Sequence, residues 1–247
     1  MNFPNGMFAP DTGRAPMRKM ILSQARIESL LFLRHGEQQL LSLVIPLTML
    51  IALSLVPLID NAVTKVFPLT LAIATMSAGF TGQAIGVAFD RRYGALKRIG
   101  ASGVPPWTII WGKIIAVLAV VILQTVLLTI TAILLGWSMP ATGLIPAAIT
   151  LFFGVAAFAS LGLLCGGTLG SELVLALANL IWFILLGTAS YIMLRGGSGL
   201  EWVPSVALAQ GLSQSFAGQF PTLELGVLFV WLLVGALGAS RFFRFTA

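Results

Sequence analysis

Residues 114–135 read IIAVLAVVILQTVLLTITAILL, twenty-two positions without a charged side chain. A helix rises about 1.5 Å per residue and the hydrocarbon layer of a bilayer is about 30 Å thick, so about 20 apolar residues suffice to cross it. No water reaches the backbone there. Only a helix closes its N–H and C=O bonds within one segment, so a run of this kind must be helical. The stretch sets the fold class, and the rest of the chain is read outward from it.

Its flanks extend the run to 110–135, and five more runs qualify, at 40–59, 66–89, 144–169, 173–194 and 223–239. The sequence thus predicts an all-α membrane protein with six transmembrane helices. Composition agrees: 58% of the 247 residues are hydrophobic and 9% charged, against about a quarter charged in soluble domains. The first strongly apolar run starts near Leu40, later than the apolar core of a signal peptide, so no cleavage is expected. Residues 1–17, rich in Pro, Gly and Asn, read as a disordered tail before a membrane domain at 18–247.

The breaks between runs are recognisable. Asp60-Asn61 ends the first. Gly136 to Pro140 reads as a turn with an interfacial Trp137. Gly170-Ser171-Glu172 is a tight turn in which Ser171 can cap the fifth helix and Glu172 suits its positive dipole end. Residues 18–36 mix apolar and charged side chains, as an interfacial helix would, although the apolar stripe is imperfect on a helical wheel. Residues 195–222 form a long connection whose middle, 206–216, reads as a re-entrant or surface helix.

Charge sets the expected orientation. The net charge is +6 and the pI about 10.3. Twelve of the 14 Lys and Arg fall in the N-terminal segment, between runs two and three, or at the C-terminus, leaving Lys65 and Arg195 on the other side. The positive-inside pattern then puts both termini in the cytoplasm. These cations flank spans, so they are read as contacts with anionic membrane lipid and not with nucleic acid. The single cysteine, Cys165, lies inside an apolar run and the single histidine, His35, has no evident partner, which leaves no metal or catalytic cluster. No G-x-x-x-x-G-K-[ST] phosphate loop occurs, so the usual means of binding ATP is missing.

The most informative connection joins runs two and three. It reads Asp90-Arg91-Arg92-Tyr93-Gly94-Ala95-Leu96-Lys97-Arg98-Ile99-Gly100-Ala101-Ser102-Gly103-Val104-Pro105-Pro106-Trp107 and reaches Gly112-Lys113 shortly after. A compact basic helix is expected, broken at 100–106 and returning to the membrane at Trp107. Leu96 and Ile99 would face inward and the basic groups outward. In order and spacing, Asp90-Arg91, Gly94-Ala95-Leu96, the turn Ala101 to Pro105 and Gly112-Lys113 resemble the permeases of ABC-2-type exporters, the daunorubicin-type branch most of all. That family often has Glu, Thr and an acidic residue at positions 90, 95 and near 97, where this chain has Asp, Ala and Lys.

The resemblance implies a mechanism. The connection would be a coupling helix docked in a groove of a separate ATP-binding subunit, with Asp90, Arg91, Arg92, Gly94, Leu96, Lys97 and Arg98 as its contact residues. The chain would bind no cofactor itself, with ATP and Mg held by the partner, and would not be an enzyme. Two ATP-binding subunits would drive two permeases, as a homodimer or a heterodimer, in the inner membrane of a prokaryote. An amphipathic helix before the first span is also implied, matching residues 18–36.

Polar residues in spans are the remaining candidates. Thr81 and Gln83 in the second run, Gln124 in the third and Asn179 in the fifth fit either a translocation path or helix packing. Ala78, Gly82 and Gly86 form a small stripe suited to close packing. No charge lies at a span centre, which disfavours an ion-coupled carrier and fits an apolar or amphiphilic cargo such as a drug or antibiotic. Lipid or polysaccharide cargo remains open.

Overall fold

The computed structural model describes residues 16–34, 40–56, 61–101 and 106–243. Among these, regular structure is entirely helical, in nine helices: α1 (Met17–Arg34), α2 (Ile45–Leu55), α3 (Ala62–Arg92), α4 (Ala95–Ala101), α5 (Pro106–Leu134), α6 (Leu144–Thr168), α7 (Ser171–Arg195), α8 (Pro204–Phe216) and α9 (Thr222–Phe242). A π-helical turn, Leu40–Val44, leads into α2, and a second, Ser77–Gly82, interrupts α3.

Five of these helices, α3, α5, α6, α7 and α9, are long and apolar enough to cross a membrane. The expected first run appears as a shorter apolar helix, Ser42–Leu55. Its predicted end at 57–60 and the segment 35–39 before it lie outside the described residues, as does the expected tail up to residue 15.

The long helix α3 is the axis of the bundle and touches α2, α5, α6, α7 and α8. Its side chains Phe67, Leu69, Leu71, Ile73 and Met76 are fully buried, in one core with Phe158 of α6, Trp182 of α7 and Leu208 and Leu212 of α8. Lipid-like side chains alone do not hold helices together in a bilayer, so close approach must do so. On α6, a Cβ at Gly162 would lie 2.7 Å from the carbonyl oxygens of Gly79 and Phe80, and one at Gly166 2.3 Å from that of Ala84. The close-packing stripe predicted on α3 is therefore only partly right. Ala78 is buried against Val117, Val120 and Val121 of α5, but Gly86 is exposed with nothing near it. The glycines that set the approach belong mainly to α6.

Three turn-level expectations change. Of the two alternatives for 206–216, the surface helix fails: α8 lies within the bundle, between α3, α6, α7 and α9. Trp137 is 8% exposed, edge-on to Phe67 and Phe216 at 4.6 and 5.1 Å, so it is a core residue and not an interfacial one. Helix α7 is capped by Gly170 without a side-chain bond, and Ser171 is instead its first residue.

Candidate functional site

The segment from Asp90 to Lys113, from the end of α3 through α4 to the start of α5, gathers three other helices, α1, α6 and α7, at one end of the bundle. The predicted basic helix divides in two. Asp90, Arg91 and Arg92 finish α3, a turn follows at Tyr93-Gly94, and α4 begins at Ala95. Gly94 makes the turn with φ of +69°, a left-handed conformation that glycine adopts without Cβ strain. Helix α4 runs through Gly100 to Ala101, so the expected break comes later; residues 102–105 lie outside the described set.

Successive residues of a helix point about 100° apart, and here the last three of α3 reach in three directions. Asp90 Oδ2 accepts a hydrogen bond from Lys113 Nζ of α5 at 2.7 Å. The same ammonium donates to Glu28 Oε1 of α1, also at 2.7 Å. Gln24 Nε2, one turn earlier on α1, donates to that Glu28 oxygen at 2.9 Å. Arg91 Nη1 donates to the carbonyls of Gly166 and Leu169, both at 2.9 Å. These sit at the C-terminal end of α6, where carbonyls lack intrahelical partners and the dipole favours a cation. Arg92 Nη1 reaches Ser171 Oγ and Glu172 Oε1 of α7, each at 3.2 Å.

These ties differ in strength. The Lys113 side chain is 4% exposed, Glu28 18% and Asp90 33%. Taking one partner from a fully buried ion pair costs about 3–5 kcal/mol, and the partial exposure of Asp90 screens its share. Arg92 and Glu172 are largely solvated, so that pair contributes at most about 1 kcal/mol.

Helix α1 explains its own poor helical wheel. Its inward face carries Ile21, Gln24, Ala25, Glu28 and Ser29, mostly small or polar, packed on α5. Leu22, Ile27, Leu30 and Leu31 are exposed, interleaved with Lys19 and Arg26. The polar side meets protein because Lys113 demands carboxylates there.

Of the expected coupling residues, Leu96 is 3% exposed and anchors α4, whereas Arg92 and Arg98 face outward. The expectation that all basic groups face outward fails at Arg91, which is 6% exposed and committed to α6. Arg98 Nη2 donates to the Tyr93 carbonyl at 2.9 Å, fastening α4 across the turn. The side chains of Lys97 and Ile99 lie outside the described set. Sequence reading did not single out Glu28, Gln24 or the exposed Tyr93 as site residues. The available signal was a lone lysine entering an apolar span, which requires a counter-ion.

The four path candidates lie on three helices. Thr81, Gln83 and Gln124 are buried on α3 and α5, and Asn179 is half-buried on α7. A cavity of about 570 Å³ between α5, α6 and α9, lined by Trp111, Leu118, Phe152 and Phe243 among others, touches none of them. Among the described residues, Thr81 Oγ1 and both amide atoms of Gln124 have no hydrogen-bond partner.

Among the described residues no group of three His, Cys, Asp or Glu could hold a metal ion. No curated protein and no solved structure matches the chain. The family model for the ABC-2 type transporter matches residues 21–209, from α1 through the first part of α8, and so takes in the whole junction. With that match over most of its length, this multi-pass helical chain belongs to the ABC-2 type transporter family.

Proposed function

We propose that the chain is the permease subunit of an ATP-driven exporter, worked through α4 by a separate ATP-binding subunit that carries the ATP and Mg. The observation that carries this reading is the junction at the end of α3. A force applied to α4 passes through the Tyr93-Gly94 turn into the end of α3. It arrives at three residues tied to α1 and α5, to α6 and to α7. Among the described residues, Tyr93, Arg92 and Arg98 are outward groups available for docking.

On this reading both termini are cytoplasmic, α2 together with its flanks is a sixth span, and α1 lies along the membrane surface with its exposed leucines in lipid. Two permeases, identical or similar, and two ATP-binding subunits form the working unit in the inner membrane of a prokaryote. The cargo is an apolar or amphiphilic compound of the drug or antibiotic kind. The unpaired Thr81 and Gln124 support a path that opens beside α3, since leaving such groups buried and unbonded costs about 1–3 kcal/mol each.

The test is copurification of an ATPase with the full-length chain from its native host. Reversing the charge at Lys97 and Arg98 to Glu leaves the ties of Asp90, Arg91 and Arg92 in place. Recovery of the ATPase is expected to fall on the order of tenfold or more, equivalent to about 1.4 kcal/mol, while the permease stays monodisperse. Unchanged recovery would remove α4 as the docking element.

A further inference from the structure

Helices α5 and α9 both pack on α6, and the cavity of about 570 Å³ is the slot left between them. Its floor is one face of α6. Ala156, Ala159 and Ser160 are small there, while Phe152 and Leu163 stand at the two ends. The α9 wall is held hard against α6. A Cβ at Gly235 would lie 2.8 Å from the Leu161 backbone nitrogen, and one at Gly238 2.9 Å from Leu164 Cδ2. At the junction end the Phe243 ring sits on Gly167, where a Cβ would run into it. The α5 wall is Trp111, Ile114, Ile115 and Leu118, with Trp111 exposed at the rim.

The chemistry of the slot is that of hydrocarbon. Both hydroxyls that line it donate to carbonyls of their own helices, Ser160 to Ala157 at 2.8 Å and Ser240 to Leu237 at 2.9 Å. Apolar cavities stay dry, and an empty one forfeits dispersion contacts along every wall. Size then narrows the occupant. From Phe152 to Leu163 the helix rises about 16 Å, close to the roughly 15 Å depth of one leaflet. Spread over that length, the cavity has a mean section on the order of 35 Å², less than half that of a helix about 10 Å across. A helix of a second permease is too thick to enter, whereas an acyl chain fits. Charge narrows it again. Arg241, next to Ser240 in the last turn of α9, is exposed at the same end as Phe243. A cation at that depth suits an anionic headgroup.

We propose that the slot is a binding site for one acyl chain of an anionic phospholipid from the leaflet on the junction side, with Arg241 holding the headgroup. The chain fills the gap between α5 and α9 and completes the packing of α6. Thr81, Gln83, Gln124 and Asn179 do not line the slot and α4 takes no part in it, so the site stands whether or not α4 receives an ATPase.

The experiment places the full-length permease in phosphatidylcholine nanodiscs. A trace of phosphatidylglycerol or of phosphatidylcholine is added, each with a photoreactive diazirine on one acyl chain, and labelled peptides are mapped by mass spectrometry. With the phosphatidylglycerol probe, labelling along 111–118, 152–163 and 232–243 is expected to exceed that around Leu180, Phe183 and Ile184, on the exposed face of α7, on the order of tenfold, equivalent to about 1.4 kcal/mol of preference for the slot over bulk lipid. Ala156→Phe, which fills the floor, is expected to bring the two faces level. Leu180→Phe adds bulk outside the slot and is expected to leave the enrichment intact. The phosphatidylcholine probe is expected to be enriched less in the parent, and Arg241→Gln to make the two probes equal.

Even labelling of the two faces in the parent makes the slot ordinary lipid boundary and overturns the proposal. So does an enrichment that survives Ala156→Phe. Equal enrichment of the two probes in the parent overturns the anionic headgroup and the role of Arg241. A disulfide-linked dimer formed by Ala156→Cys in a Cys165→Ala background would put a second permease at the slot and overturn the lipid as its occupant. Should Ala156→Phe yield no monodisperse protein, the Arg241→Gln comparison decides, since that side chain lies outside the core.

Discussion

Helices α3 and α9 both cross the bundle, and they solve opposite problems. Helix α3 is the least apolar of the five long helices, yet 83% of its most apolar 18-residue stretch is buried. Helix α9 is the more apolar of the two, yet only 17% of the corresponding stretch is buried. Leu223, Phe229, Val230, Leu233, Val234 and Leu237 of α9 all lie exposed. In a soluble protein the order would be reversed. A bilayer rewards leucine on the outside as readily as a core does, so burial and apolarity separate. What qualifies a helix for the centre is small size and polarity that is mostly satisfied: α3 has the first in Ala78, Gly79 and Gly82 and the second in Thr70, Thr75 and Ser77, with Thr81 the exception. Each of those three hydroxyls bonds a carbonyl of its own helix.

The strongest way to break this contrast is to add methyl groups on each side of it. At Gly166 a Cβ would meet the Ala84 carbonyl oxygen at 2.3 Å, and at Gly162 the oxygens of Gly79 and Phe80 at 2.7 Å. These are backbone atoms, so no rotamer change relieves the clash and the helices must part. Overpacking of this kind costs about 1–3 kcal/mol per site, or more. Together, Gly162→Ala and Gly166→Ala are expected to abolish a monodisperse peak in size-exclusion chromatography. Gly226 of α9 has nothing within 4 Å, so Gly226→Ala is expected to stabilise by up to about 1 kcal/mol through helix propensity. Equal melting of the two variants in detergent would mean that α6 does not hold α3 by backbone contact.

A gentler probe uses the two tryptophan N–H groups. Trp182 Nε1 donates to Ser77 Oγ of α3 at 2.7 Å with both residues buried. Ser77→Ala leaves that donor unpaired away from water, a loss of about 1–3 kcal/mol. Trp231 Nε1 of α9 donates to the Trp202 carbonyl at 2.8 Å at the exposed rim. Trp231→Phe there is expected to stay within about 0.5 kcal/mol. Thermal unfolding followed by tryptophan fluorescence ranks the pair. A larger loss at Trp231 would invert the assignment of centre and rim.

Much of this was legible in the sequence because length and apolarity are local. Five runs became long helices within a few residues of their expected ends, and the connection after the second run did carry the family's marks. What was not legible depends on partners far away in the chain. Arg91 reads as one more surface cation until the end of α6 supplies Gly166 and Leu169 as acceptors 75 and 78 positions on. Trp137 reads as an interfacial residue until Phe67 and Phe216 close over it. Glu224, in the first turn of α9, is buried and takes a hydrogen bond from Gln214 of α8. The stripe of α1 reads as imperfect because Gln24 and Glu28 share the inward side with Ile21 and Ala25, while Lys19 and Arg26 interleave the exposed leucines.

The mildest probe lies in a partly exposed turn. Between α7 and α8, Gly199 turns with φ of +90° and its N–H donates to Glu201 Oε1 at 2.9 Å. The hydrogen bond from Gly199, with a further one from its own backbone N–H, holds the Glu201 carboxyl below its ordinary value. A group whose folded value is depressed adds stability above its unfolded value, near 4.3, and loses it as pH falls through the folded value. The turn is therefore intact near neutral pH and loosens in the acid range, whereas Glu201→Gln removes the titration. Hydrogen exchange at residues 196–203, taken as the ratio of variant to parent at each pH, is expected to exceed one near neutrality and approach one below pH of about 4. Segments of α3 are expected to show no such dependence. A flat ratio across the series would mean that the Gly199 contact does not order the turn, and solvent alone would then set this edge of the molecule.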